Sequence, residues 1–390
     1  MPSSRSQVPP FAVMEVLDAV QRRRDAGRPV FSLCAGEPGG GEPAAVRERA
    51  AALLAGGAPL GYTPALGLPA LRRAIAGHYA RWYGVAVDPE RVAVTTGSSG
   101  AFVLAFLAAF APGDRVALAR PGYPAYRNIL RALGCEVVEL PAGPDERYQP
   151  TPALLDAAVA TGGPLRGVVV ASPANPTGSM VDGAELDALG AWCADHGATL
   201  VSDEIYHGIT AGTIEARSAW ERDDRAIVVS SFSKYWGMTG WRLGWALLPE
   251  TLVGAVDALA GNLALCPPTL PQLAALEAFS PAAYAEQDRA AERYRELRGL
   301  LLDRLPALGW GATAPADGAF YLYAEIGERL DARGLDDSVA WCAALLEETG
   351  VALTPGSDFD AVHGRRWVRL SYAAEEAILR EGLDRIAAWG

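Results

Sequence analysis

Of the 34 basic side chains in this 390-residue chain, a single one is a lysine, Lys234. Arginine serves wherever only a positive charge is needed, and the Arg-, Ala- and Gly-rich composition points to a coding bias that removed lysine almost everywhere. Arginine cannot serve where an amine must lose its proton, because a guanidinium stays charged in a protein while a buried ammonium can be neutral. The surviving lysine is therefore a candidate for nucleophilic and acid–base chemistry. Two further polar residues precede it at matching intervals: Asn175, Asp203 and Lys234 stand 28 and 31 residues apart, about one strand–helix–strand unit each. An acid just after a buried strand is costly unless it is paired. A buried Asp203–Lys234 ion pair would satisfy it, and so would a protonated ring nitrogen. A lysine Schiff base with an aspartate on the ring nitrogen is the protein signature of pyridoxal phosphate.

These residues need a scaffold. Short apolar runs at 92–95, 116–119, 168–170, 199–201 and 227–229 are each followed by a polar turn and a helical segment. Such alternation predicts βαβ units of a mostly parallel sheet flanked by helices, buried on both faces. Ligands of such sheets bind beyond the carboxyl ends of the strands. There the chain places Gly97-Ser98-Ser99-Gly100, ahead of a helix expected from Ala101; the free amides of a helix start suit a phosphate. It also places Pro121-Gly122-Tyr123-Pro124, whose ring can stack on a flat ligand. The turn of Asn175, the run Ser202-Asp203-Glu204-Ile205-Tyr206, and Ser230-Ser231-Phe232-Ser233-Lys234 follow, with Gly237, Gly240 and Arg242 beyond. Neither a Walker A motif nor a G-x-G-x-x-G follows any of these runs, which argues against a nucleotide.

Outside this region, Val13, Val16, Leu17 and Val20 predict a helix over 11–24, and an arginine-rich stretch predicts one over 281–305. Strand-like runs at 319–326 and 367–372 suggest an antiparallel sheet, with Arg369 between Val368 and Leu370 on the opposite face of its strand. The expected organisation is a large α/β domain over 46–284 and a smaller α+β domain built from 1–45 and 285–390. A net charge of −12 argues against nucleic acid as a partner, since phosphate binding needs a basic surface. The longest apolar run, 101–111, is too short to span a bilayer, and the start MPSSRSQVPPF lacks the apolar core of a signal peptide, so a cytoplasmic protein is expected. Five scattered cysteines and four scattered histidines have neither disulfide-framework nor metal-ligand spacing.

Ser231-x-Ser233-Lys234-x-x-Gly237-x-x-Gly240-x-Arg242 resembles the cofactor-attachment motif of the class I/II aminotransferases, the aspartate-aminotransferase-like enzymes of fold type I. The resemblance extends from Gly36-Glu37-Pro38 through Gly61-Tyr62-Thr63-Pro64-Ala65-Leu66-Gly67 to Arg369-Leu370-Ser371-Tyr372-Ala373. It implies that Lys234 carries pyridoxal phosphate, that Asp203 pairs with its ring nitrogen, that Asn175 and Tyr206 meet its phenolic oxygen and that Tyr123 stacks on the ring. Ser98, Ser99, Ser231 and Arg242 would hold the phosphate, with Tyr62 supplied by the other subunit of a homodimer. Arg369 would clamp the substrate α-carboxylate, with Gly36 and its loop closing beside it. The implied activity is ping-pong transfer of an amino group between an L-amino acid and a 2-oxo acid, Lys234 acting as the general base. The uncharged stretch 259–268, and serines at 98 and 99 where some relatives carry a lysine, point to a neutral substrate, aliphatic or aromatic, with Phe11, Val13 and Met14 as pocket walls. The competing readings are a lyase or ring-forming synthase on the same fold, or an aspartate aminotransferase. A ligand-sensing transcription regulator lacks chain length for a DNA-binding domain, and an NAD-type oxidoreductase lacks its glycine fingerprint.

Overall fold

The computed structural model describes residues 3–212 and 214–390; the first two residues of the N-terminal stretch lie outside it. Seven strands form the main sheet in the order Val92–Thr95, Gly244–Leu247, Ile227–Ser231, Thr199–Asp203, Gly167–Ala171, Arg115–Arg120, Glu136–Pro141. Six of them run in one direction, while Gly244–Leu247 runs antiparallel to both of its neighbours. The apolar runs read from the sequence are all strands of this sheet. Side chains on the central strands alternate between two cores: Val168, Val170 and Val228 enter one, while Val169, Ile227 and Val229 enter the other.

Two strands fall outside the runs expected from the sequence. Glu136–Pro141 lies at the edge of the sheet, where half-exposed and charged positions interrupt the pattern. Gly244–Leu247 is four residues long and contains no β-branched residue. The Gly97–Ala109 helix also begins four residues before the expected Ala101. Gly97, at φ +68°, starts it directly from the strand, so Ser98 and Ser99 lie in its first turn.

Register aligns the functional strand ends. Ala171 pairs with Asp203, and Asp203 with Val229, so the turns carrying Asn175, Asp203 and Lys234 leave the same edge of three adjacent strands. A second, antiparallel sheet contains Thr354–Pro355, Trp367–Ser371 and Tyr321–Glu325. In it Arg369 lies opposite both Thr354 and Tyr323, diagonal to Tyr321. This sheet, the Pro281–Leu308 helix and the C-terminal helix Glu376–Trp389 share a third apolar core around Leu322, Trp341, Val368 and Leu370. Near the N terminus, Phe31–Ser32 pairs in parallel with Val351–Ala352. The Ala12–Asp25 helix is anchored by Asp358, whose carboxylate accepts from the Ala12 and Val13 amides at 3.1 and 3.4 Å. Both ends of the chain thereby reach the mouth of the main sheet. No helix among the described residues is long and apolar enough to cross a membrane.

Candidate active site

A cavity of about 440 Å³ opens at that mouth. It is lined by Lys234, Asp203, Tyr206, Asn175, Tyr123, Ser98, Ser99, Arg242, Gly36 and Arg369, so the two sheets bring together ten of the twelve residues singled out from the sequence. A larger cavity, about 630 Å³ near Arg120 and Trp367, contains none of them.

Lys234 follows the Ile227–Ser231 strand through a turn that buries its amine. Nζ donates to the Gly36 carbonyl at 2.5 Å and makes no ion pair with Asp203. Burial, aided by the nearby Arg369 guanidinium, lowers the amine to about 8, while Glu37 and Asp203 pull in the opposite direction. A neutral amine near physiological pH is what attack on a carbonyl requires.

Asp203 is 5% exposed. One of its oxygens accepts from the Ile205 amide at 3.1 Å and the other from the Tyr126 hydroxyl. Those bonds favour the carboxylate, yet burial outweighs them and raises the group to about 7. No arginine or lysine among the described residues lies within ion-pair distance of it. A protonated pyridine nitrogen would supply the missing counter-charge and restore the ionised acid. The sequence does not single out Tyr126; its signal is its position three residues after Tyr123, on the same face of the Pro124–Leu133 helix. The Tyr123 and Tyr126 rings meet edge-on, with centroids 5.3 Å apart.

At the opposite wall, Arg369 is 4% exposed. Its guanidinium donates to the Asn175 side-chain oxygen at 2.8 Å, the Cys34 carbonyl at 2.8 Å and the Thr354 hydroxyl at 3.2 Å. Nε has no partner, and no carboxylate among the described residues neutralises it. A buried cation without an anion is costly, and the cavity is where an anion can reach it. The guanidinium carbon lies 4.4 Å from the Tyr321 ring centroid and 4.9 Å from that of Phe359. The Tyr206 hydroxyl is 2.8 Å from that of Tyr321, a second lining residue that the sequence does not single out. Burial holds both phenols above the ordinary range, so they remain protonated donors.

The phosphate-sized end is shaped by glycines. Arg242 adopts a left-handed φ of +52°, and its fork packs so close to Gly97 that a Cβ there would stand 2.5 Å from Nη2. A Cβ on Gly244 would stand 2.7 Å from the Gly97 carbonyl carbon and 2.8 Å from the Ser98 nitrogen. The strand thus presses against the first turn, whose amides and dipole favour an anion. The cavity's donors fit pyridoxal phosphate group by group: an amine, a carboxylate lacking its counter-charge, phenol donors, and a helix start beside an arginine.

Two expected residues lie elsewhere. The Ser231 hydroxyl donates to the Leu243 carbonyl at 3.3 Å and accepts from the Ser233 amide at 2.8 Å, and Ser233 is the one that lines the cavity. Tyr62 is 85% exposed and faces away. Of the proposed walls, Val13 lines the cavity together with Leu17, one helical turn on. Met14 is 54% exposed because it projects from another face of that helix, and Phe11 packs against the outer side of Tyr123, with centroids 6.1 Å apart.

The family profile described as "Aminotransferase class I and II" matches residues 28–386. A protein of Mycobacterium tuberculosis named valine–pyruvate aminotransferase is 51% identical over 99% of this chain and 97% of its own length. A Thermus thermophilus aspartate/prephenate aminotransferase is 35% identical over 97% of this chain and 95% of its own. Among solved structures, an aminotransferase from Mycobacterium tuberculosis superposes with a TM-score of 0.95 at 50% identity, covering 100% of this chain and 98% of that one.

Proposed function

The chain belongs to the class I and II aminotransferases, pyridoxal-phosphate-dependent enzymes that move an amino group between an amino acid and a 2-oxo acid, and within that family we propose a ping-pong exchange that prefers neutral amino acids, aliphatic or aromatic. The observation that carries this preference is a count of charges. The lining residues include three fixed or titratable cations, Lys234, Arg242 and Arg369, and each has an assignment. Lys234 takes the cofactor, Arg242 its phosphate, and Arg369 the substrate α-carboxylate through a fork of donors. None is left for a second carboxylate, and Glu37 in the same wall would repel one. Val13 and Leu17 offer an apolar surface instead. The name of the Mycobacterium tuberculosis relative, a valine–pyruvate aminotransferase, agrees with this reading.

When bound, the cofactor supplies an electrophilic carbonyl carbon and a protonated ring that accepts the electrons of the substrate Cα–H bond. Lys234 Nζ, the one side-chain amine in the cavity, would act as general base on the substrate Cα–H and hold the proton it removes. Asp203 keeps the ring nitrogen protonated, and Tyr126 holds that carboxylate in place. Asn175 and Tyr206 steady the phenolic oxygen, and Tyr123 covers the ring face. Ser98, Ser99, Arg242 and Ser233 hold the phosphate, the Ser231 hydroxyl bracing the turn from outside the cavity. In this reading the large unit over 46–284 binds the cofactor, while the smaller one from 1–45 and 285–390 brings Gly36 and Arg369 to the substrate. The enzyme works in the cytoplasm as a homodimer, with Tyr62 of each subunit reaching the phosphate of the other.

Steady-state rates with valine, alanine and phenylalanine against pyruvate, beside aspartate against 2-oxoglutarate, test the preference. Faster turnover of the aspartate pair overturns it. Turnover of an amino acid with no 2-oxo acid present would instead indicate a lyase.

A further inference from the structure

Tyr321 joins the arginine wall of the site to Tyr206 and to the Gly36 loop. It is 1% exposed, and its ring packs against the Arg369 guanidinium at 4.4 Å. Its hydroxyl lies 2.8 Å from that of Tyr206 and 2.7 Å from where a Cβ on Gly36 would stand. The Gly36 carbonyl in turn holds Lys234 Nζ.

The protons on the two phenols can be ordered by accounting for acceptors. Tyr206 is the sole polar partner of the Tyr321 hydroxyl among the described residues. If Tyr206 donated to Tyr321, the Tyr321 proton would be the one left for the cavity that both residues line, and Tyr206 would have nothing to give the phenolic oxygen. If Tyr321 donates to Tyr206, its proton is used and the Tyr206 proton is free to point into the cavity. Only the second order lets Tyr206 donate to the phenolic oxygen, the role proposed for it above, so the second order is selected. The Arg369 guanidinium, packed on the Tyr321 ring, opposes the upward push of burial on both phenols. A phenol that accepts a hydrogen bond is itself a stronger donor in the next one.

We propose that Tyr321 is a positioning residue that donates to Tyr206 and strengthens the bond from Tyr206 to the phenolic oxygen of bound pyridoxal phosphate, linking the Arg369 clamp to the cofactor's electronics. This rests on the placement of Tyr206 at that oxygen. It also explains glycine at position 36: any side chain there would push the Tyr321 hydroxyl off Tyr206.

The test is a pH titration of the visible absorption of the lysine-bound cofactor in four holoenzymes: wild type, Tyr321→Phe, Tyr206→Phe and the double variant. A donor to the phenolic oxygen draws charge from it, so the neighbouring imine nitrogen holds its proton less tightly. Weakening that donor therefore raises the midpoint. Tyr321→Phe keeps the ring against Arg369 and should raise the midpoint by a few tenths of a pH unit, Tyr206→Phe by more, and the double variant by no more than Tyr206→Phe alone. Gly36→Ala, which leaves both phenols intact, should move it in the same direction as Tyr321→Phe. The other charged and titratable groups around these hydroxyls, Lys234, Asp203, Glu37, Arg242, Arg369 and Tyr123, are the same in every variant. An unmoved midpoint in Tyr321→Phe overturns the proposal, as does an equal shift in the Tyr206→Phe background, which would mean independent action. An unmoved midpoint in Tyr206→Phe itself overturns the placement of Tyr206, and the proposal with it.

Discussion

A guanidinium at position 234 keeps the charge of Lys234 and gives up its one indispensable property, an amine that can lose its proton. Lys234→Arg should fold yet show no measurable turnover. Borohydride reduction of the wild-type holoenzyme, followed by peptide mass analysis, should fix the cofactor on the peptide containing Lys234 and on no peptide of the variant; a modified peptide elsewhere contradicts the assignment. Because burial and Arg369 hold the free amine at about 8 rather than 10.5, recombination of apoprotein with pyridoxal phosphate should speed up as pH rises through about 8 and then level off. A rate still climbing toward pH 10 would show that the amine is not so perturbed. Arg369→Lys keeps charge and loses the paired donors, a loss worth roughly 10- to 100-fold in KM for amino and oxo acids alike, with a smaller change in kcat. Asn175, Asp203 and Lys234 are legible in the sequence because a polar residue ending an apolar run has few structural uses. Tyr126 and Tyr321 are not, because a tyrosine among apolar neighbours reads as core, and both are core as well as site.

At the scale of elements, the phosphate end depends on the Gly244–Leu247 strand fitting against the first turn of the Gly97–Ala109 helix. A methyl group on Gly244 would stand under 3 Å from backbone atoms of Gly97, Ser98 and Ser230, which cannot swing away as a side chain can. Gly244→Ala should therefore cost about 1–3 kcal/mol in chemical denaturation and weaken retention of the cofactor; unchanged dialysis losses would mean that the helix start does not hold the phosphate. The Thr199–Asp203 strand carries a second buried acid immediately after Asp203. Glu204 accepts from the Ala219 amide at 2.8 Å and the Ser202 hydroxyl at 3.0 Å, while its other oxygen has no partner. Burial raises it from 4.5 to about 8. The folded protein thus keeps a proton that the unfolded chain releases, so this stabilising contribution is complete below about 4.5 and is lost as pH rises through about 8. Glu204→Gln, neutral throughout, should raise Tm relative to wild type at pH 8 more than at pH 5; an equal difference at the two values rules this out. Little of this is legible in the sequence. The antiparallel Gly244–Leu247 strand has the right glycine inside a short apolar stretch but no β-branched residue, and a pairing made through backbone contact leaves no periodic trace in the residues.

At the scale of the whole molecule, the Tyr62 side chain is almost wholly in solvent, at 85% exposure, and Leu60, Leu263 and Leu265 are 42%, 60% and 52% exposed. Hydrogen bonds join the two segments that carry them: Thr269 donates to the Gly61 carbonyl at 2.6 Å, and the Thr63 amide donates to Cys266 at 3.4 Å. Four large side chains exposed on two joined segments are the kind of surface that a partner covers, and a two-fold copy seated there is the occupant that the proposed dimer requires. If Tyr62 serves the partner's phosphate, two defective chains should repair each other. A Tyr62→Ala subunit retains its own Lys234 but gives its partner no tyrosine; a Lys234→Ala subunit lacks the amine but offers a sound Tyr62. Alone, the first should bind cofactor weakly and the second should not turn over. In a hybrid dimer, the site carrying Lys234 receives Tyr62 from the other chain and is intact, while the remaining site bears both lesions. Mixing the two under conditions that allow subunit exchange should therefore produce sites with wild-type cofactor affinity, measured as activity at limiting pyridoxal phosphate. If the mixture shows only the activity of its Tyr62→Ala component, even though hybrids are present by native mass spectrometry, then Tyr62 does not act across the interface and each subunit completes its own site.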